Sequence, residues 1–183
     1  MEDGRWKMED ENLGSRIMQV MPVVESQWEL LRNIRLQSLI DSPDAFAITH
    51  EQAEKLTPAE WRFIASGAAG PRFLIARHDG QAVGLIGAVD SGGEYELVSL
   101  WVSPLVRGQG VGLELINSLR TLALEDGHRA VMLRVSSENT TAINLYLKAG
   151  FVPDFTEGGH CASGGGTLQK MVWHGDHQTR YLF

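Results

Sequence analysis

Residues 102–112, Val102-Ser103-Pro104-Leu105-Val106-Arg107-Gly108-Gln109-Gly110-Val111-Gly112, hold the side chains with the clearest chemical meaning in this chain. They join an apolar strand-like run, Leu97 to Val102, to a helix-like run, Leu113 to Glu125. A helix start leaves several backbone N–H groups without partners and carries the positive end of the helix dipole. Glycines at such a junction let an anion reach the bare backbone. The junction therefore reads as a phosphate cradle, which implies a nucleotide-like cofactor. The structural alternative is a tight turn whose glycines serve packing. The spacing is not Gly-x-Gly-x-x-Gly, and no Gly-Lys-Ser or Gly-Lys-Thr is present, which argues against dinucleotide folds and NTP-hydrolysing loops.

The elements that must position this junction follow from apolar spacing and turn residues. Ile17 to Met21 reads as a first strand stopped by Pro22, and Val24 to Ile40 as an amphipathic helix ended by Asp41-Ser42-Pro43-Asp44. A second helix is expected over 50–66, with Thr57-Pro58-Ala59-Glu60 resembling a capping box. Arg72 to Arg77 and Gln81 to Val89 form strands around His78-Asp79-Gly80, and Ser91-Gly92-Gly93 turns into a strand over Tyr95 to Val102. After the cradle helix come a strand at Ala130 to Val135, a helix at Asn139 to Ala149 closed by Gly150, and a strand beginning at Phe151 to Phe155. Gly158 to Gly166 is a glycine-rich loop, and Leu168 to Trp173 with Thr179 to Phe183 reads as a last hairpin or one irregular strand. The order implies a single mixed α/β (α+β) domain with a mostly antiparallel central sheet flanked by helices.

The chain has 183 residues, a length that suits one domain. Residues 1–16 are polar and acid-rich and read as a disordered leader, with the domain over 17–183. The net charge of −7 argues against a general nucleic-acid or anionic-membrane partner. Cys161 is the one cysteine, so no internal disulfide forms, in keeping with a cytoplasmic setting. The six histidines show no paired helical spacing; His174-Gly175-Asp176-His177 reads as a solvated turn rather than a metal site, and no metal is expected.

Arg107-Gly108-Gln109-Gly110-Val111-Gly112 resembles the Arg/Gln-x-x-Gly-x-Gly/Ala signature of the GNAT superfamily of N-acetyltransferases. Downstream, Asn139, Ala142, Tyr146, Gly150 and Phe151 resemble its second signature, in the right order. The resemblance implies acetyl-CoA as co-substrate. Amides from Arg107 through Gly108, Gln109, Gly110 and Val111 to Gly112 would hold the pyrophosphate, with the Arg107 side chain pointing either to it or to solvent. The backbone of Leu100, Trp101 and Val102 would pair with pantetheine, as in strand addition, beside a bulge the sequence does not reveal. Asn139 would bond the pantetheine arm or cap the next helix. Glu96, eleven residues before Arg107, matches a general base found in part of the family, with desolvation expected to raise its pKa; the bland reading is a solvent-facing strand glutamate. Tyr146 matches the general acid beside the sulfur, or else is core.

The implied activity is acetyl transfer to a primary amine of a small molecule. A protein or peptide N-alpha-acetyltransferase and a non-catalytic acyl-CoA sensor are the alternatives. Acceptor contacts would come from Trp28, Asp44 and Phe46, with Trp61 and Trp173 as further candidates and Asp44 as partner for a cationic amine. Similar proteins are frequently homodimers, though nothing in the sequence fixes an interface.

Overall fold

The computed structural model describes residues 18–68, 70–155, 160–161 and 167–175. The expected leader, most of the glycine-rich loop, Asp176 and His177, and the segment Thr179 to Phe183 lie outside them. Eight strands form one sheet: β1 (Gln19–Pro22), β2 (Arg72–His78), β3 (Gln81–Asp90), β4 (Tyr95–Val102), β5 (Ala130–Ser136), β6 (Val152–Pro153), β7 (His160–Cys161) and β8 (Thr167–His174). Their order is β1-β2-β3-β4-β5-β8-β6, with β7 beside β8. Every pairing is antiparallel except β4 with β5. The mixed, mostly antiparallel sheet expected from the sequence is therefore present.

The helices are α1 (Trp28–Asp41), α2 (His50–Glu54), α3 (Pro58–Ala65), α4 (Val111–Glu125) and α5 (Thr140–Lys148). The single helix expected over 50–66 is thus two. Pro58 has no N–H and forces Thr57 into extended backbone, ψ 160°. Thr57 Oγ1 then accepts from the Glu60 N–H and Glu60 returns a bond to the Thr57 N–H, so a fresh cap starts where the apolar spacing runs on. The strand expected at Phe151 to Phe155 shrinks to two residues, and Pro22 ends β1 from inside it.

Each face of the sheet buries its own core. Under α4 and α5, Leu115, Ile116 and Leu119 pack with Ile86, Leu97, Leu133, Phe151 and Met171. Under α1 and α3, Leu31, Ile34 and Trp61 pack with Phe73, Ile75, Leu85 and Trp101. Burying each large aliphatic side chain contributes about 1.5–3 kcal/mol. The far end of α4 is tethered by polar groups. Tyr95 Oη donates to Asp126 at 3.0 Å, Arg72 donates to Tyr95 Oη at 2.9 Å, and Arg72 also ion-pairs with Asp126.

Two irregularities in β4 prepare the site. Leu85 faces Trp101 and Gly87 faces Val98, so three steps on β4 span two on β3. The extra residue is a β-bulge, and Ser99 takes a left-handed φ of +57° there. Because side chains alternate along a strand, the bulge exchanges the faces. Tyr95 and Leu97 point toward α4, and so do Leu100 and Val102, whereas Trp101 joins the α1 core. On its other edge β4 meets β5 at the single register pair Glu96↔Met132. Beyond it the two parallel strands part, leaving the β5-facing edge of Val98 to Val102 unpaired by β5.

Candidate active site

The loop after β4 builds the expected cradle. Gly108 and Gly110 hold φ of +79° and +86°, and a Cβ on either would meet open space. Gly110 is the N-cap of α4 and offers no side chain to it. The first helical N–H held by the chain is that of Glu114, which donates to Gly110 O at 3.1 Å. The N–H groups of Val111, Gly112 and Leu113 thus open α4 without an acceptor among the described residues. These unpaired donors, beside backbone that side chains leave bare, fit a diphosphate. Gly112 differs from its expected role. A Cβ there would lie 3.0 Å from Leu145 Cδ2, so this glycine admits α5 against α4 rather than a ligand.

The Arg107 side chain is half exposed, and its guanidinium is held by protein acceptors. Its Nε donates to Val102 O at 2.9 Å, and its Nη2 pairs with Asp41 Oδ2 at the end of α1. The same Asp41 oxygen accepts from Trp101 Nε1 at 2.8 Å. These bonds, the indole's first among them, hold the Asp41 carboxyl below its ordinary pKa. One carboxylate therefore ties α1, the end of β4 and the cradle loop together. Asp41→Asn keeps an acceptor for Trp101 and removes the charge facing Arg107. Exposed ion pairs are worth at most about 1 kcal/mol. We expect its KM for acetyl-CoA to rise no more than about fivefold with kcat nearly unchanged, measured by steady-state kinetics.

Glu96 sits where β4 and β5 part. A Cβ on Gly87 would lie 3.1 Å from both Phe73 and Val98, so Val98, and with it Glu96, faces the α1 side. Leu133 and Val135 belong to the α4 core, so Arg134 faces the α1 side too. Arg134 Nη1 donates to Glu96 Oε1 at 3.0 Å, and each side chain is 30% exposed. Glu96 is thus a half-buried, ion-paired carboxylate, between the desolvated base and the solvent-facing glutamate that the sequence allows. Tyr146 lies in the core under α4, 7% exposed, with its ring 5.8 Å from that of Phe151. Burial pushes its phenol up to about 12. Asn139 is the N-cap of α5, its Oδ1 accepting from the Ala142 N–H at 3.0 Å.

A strand that splays from its parallel neighbour and runs into an uncapped, glycine-led helix is one unit of local geometry. The family model that describes it, the acetyltransferase (GNAT) family, matches residues 30–151. The chain belongs to the GNAT acetyltransferase family. An IAA acetyltransferase of Azospirillum brasilense is 37% identical over 82 residues, covering 44% of this chain and 54% of that protein, so the chain spans about half of that relative's length. A GNAT-family acetyltransferase of Streptococcus pneumoniae superposes with a TM-score of 0.71 at 18% identity, over 86% of this chain and 99% of the other. The PaiA N-acetyltransferase of Thermoplasma acidophilum, in complex with coenzyme A, superposes at 0.62 with 17% identity, over 84% and 98%. At these identities the two structures show the shared fold.

The acceptor candidates of this GNAT chain fall in different places. Trp28 stacks under Arg62 of α3 at 5.3 Å, and Trp61 is buried beside it. Trp173 lies in the core under α4, with Arg120 over its ring at 4.1 Å. Phe46 packs beneath Arg35 at 4.3 Å, and Asp44 is exposed in the turn after α1. The tryptophans are therefore wall and core, and the structure does not gather them with Asp44. Among the described residues, no cluster of three or more His, Cys, Asp or Glu could hold a metal, and no helix is long and apolar enough to cross a membrane. Asp41 and Arg134 went unnoticed in the sequence. Asp41 reads there as part of a helix-breaking turn. Arg134 left one trace, a charge inside the apolar run Val131-Met132-Leu133-Arg134-Val135.

Proposed function

We propose that this chain transfers the acetyl group of acetyl-CoA directly to the primary amine of a small molecule. The observation that carries this reading is the gap between β4 and β5 opening onto the bare start of α4. The N–H groups of Val111, Gly112 and Leu113, with the backbone of Gly108 to Gly110, hold the pyrophosphate. The free edge of Leu100 to Val102 pairs with the pantetheine amides, and a backbone N–H there steadies the developing oxyanion. Asn139 caps α5 with its carbonyl oxygen and has its amide N–H groups for the same arm.

When bound, acetyl-CoA supplies a thioester whose carbonyl carbon the amine attacks: the C–N bond forms, the C–S bond breaks and the sulfur leaves as thiolate. Glu96 takes the proton that the ammonium must lose, directly or through one water. Tyr146, protonated throughout the neutral range, gives a proton to the thiolate. Arg107 has no phosphate role in this scheme; it sets the loop through Val102 and Asp41. A cytoplasmic setting suits a chain with a single cysteine.

Thiol release by the purified protein, followed over a panel of amines and peptides with acetyl-CoA, tests the reading. Saturable, amine-dependent release is expected. Coenzyme A binding with no release on any acceptor would instead define a sensor module, and turnover confined to peptides an N-alpha-acetyltransferase.

A further inference from the structure

We propose that Arg35, beneath the turn that follows α1, is an anion receptor, and that the acceptor brings to it a carboxylate carried on the same molecule as the amine. The inference rests on the acetyltransferase reading above and adds the class of acceptor to it. Arg35 is the one buried charged side chain among the described residues, 9% exposed. Its Nη1 is shut off from solvent and has no hydrogen-bond partner, and no carboxylate among the described residues forms an ion pair with it. What it has is the ring of Phe46, 4.3 Å from the guanidinium carbon.

A guanidinium out of water and without an anion works against folding. Burial lowers its pKa to about 10, so the charged form is the one penalised. The local chain offers no relief. Leu31 and Leu39, one turn to either side on α1, are buried, and Ser38 spends its hydroxyl proton on Arg35 O at 2.7 Å. The other orphaned donors do not present the same conflict. Trp61 Nε1 belongs to a neutral ring, and Arg120, orphaned at Nε, donates through Nη1 to Ala149 O at 2.8 Å. Arg35 keeps its charge against stability, and an anion arriving from outside restores the balance.

The place suits the acceptor. α1 packs on the face of the sheet toward which Glu96 points, and Asp41, its last residue, is bonded to Trp101 of β4 and to Arg107 of the cradle loop. The turn that leaves α1 there carries Phe46 as its inward side chain, with residues 43–45 and 47 exposed around it. Displacing that one ring uncovers the guanidinium. Charge and shape fix the class of ligand. The planar fork of a single guanidinium matches the two oxygens of a carboxylate and balances its one charge. A phosphate dianion would leave surplus negative charge among apolar side chains.

The test uses amino acids whose carboxylate stands at increasing distance from the amine. Each is compared with its own carboxamide and with a phosphate-bearing amine of like length, on wild type and Arg35→Met. The best amino acid should exceed its carboxamide by about 10- to 100-fold in kcat/KM, the range of a hydrogen bond to a charged group. Arg35→Met, which fills the space without the charge, should collapse that ratio by raising the amino acid's KM, with coenzyme A affinity by calorimetry unchanged. Arg35→Lys keeps the charge without the fork and should restore part of the ratio. Carboxamides turned over as well as the amino acids would overturn the proposal, and the wild-type ratio decides this even if the variant does not fold. A ratio that survives in folded Arg35→Met, or a wild-type preference for the phosphate-bearing amines, would overturn it as well. Coenzyme A binding without turnover of any amine would instead remove the acetyltransferase reading, a different result from acetylation that ignores the carboxylate.

Discussion

Gly110→Asp is expected to weaken coenzyme A binding by more than about 100-fold while the protein stays folded. Gly110 combines a φ of +86° with the N-cap position of α4 and open space around its Cα. Aspartate is among the few residues that tolerate a left-handed backbone, at some cost in strain. Its carboxylate would accept from the N–H groups of Gly112 or Leu113, satisfying the donors that otherwise face the diphosphate. It would also set like charges a few ångströms apart, worth roughly 4 kcal/mol per charge pair near a protein surface. The left-handed backbone strains any side chain, so some loss of fold stability accompanies the change, but a merely structural glycine would lose stability without a roughly 100-fold loss of ligand affinity. Gly110→Asn supplies the same cap and shape without the charge and should lose only about tenfold. Calorimetric titration with coenzyme A, beside thermal unfolding of the same samples, separates the two effects. An unchanged dissociation constant in folded Gly110→Asp would remove the cradle assignment.

What the sequence made legible was local. The strand, glycine loop and helix around residues 102–112 are contiguous, and the physics of an uncapped helix start needs no distant partner. The roles that the sequence left open or placed differently are those that a far part of the chain decides. Arg107 carries the charge a phosphate wants, yet its partner Asp41 lies 66 residues away and takes it first. Gly112 resembles its neighbours in the loop, but Leu145 on another helix requires it to be small. The Ser99 bulge leaves no glycine as a marker; it exists because β3 and β4 differ in residue count between two pairs. Over 50–66 both signals were present, apolar spacing for one helix and a Thr-Pro cap for two, and the cap prevailed because proline acts through covalent geometry. The pairing of Glu96 with Arg134 is of the same distant kind, since it joins two strands that only the sheet order makes neighbours.

Tyr146→Phe tests the other half of the chemistry. We expect kcat to fall by about 100-fold or more, the usual contribution of a positioned proton donor, with coenzyme A affinity within about twofold of wild type. The ring's packing on Phe151 survives the substitution, so the change isolates the hydroxyl. Burial raises the phenol from 10.0 to about 12, and the sign of its linkage to folding follows. The unfolded chain releases this proton near its ordinary value, the folded one only at about 12, so the stability tied to the neutral phenol is complete below pH 10 and lost as pH climbs through the interval between. Tyr95, also pushed up to about 12 with burial as the leading cause, contributes a loss in the same window. Tyr146→Phe should therefore lose less stability than wild type between about pH 10 and 12 in denaturant titrations. Its kcat should be depressed across the neutral range, where the native phenol is protonated. A variant with wild-type kcat would mean that some other group protonates the leaving sulfur, and Tyr146 would then be core alone.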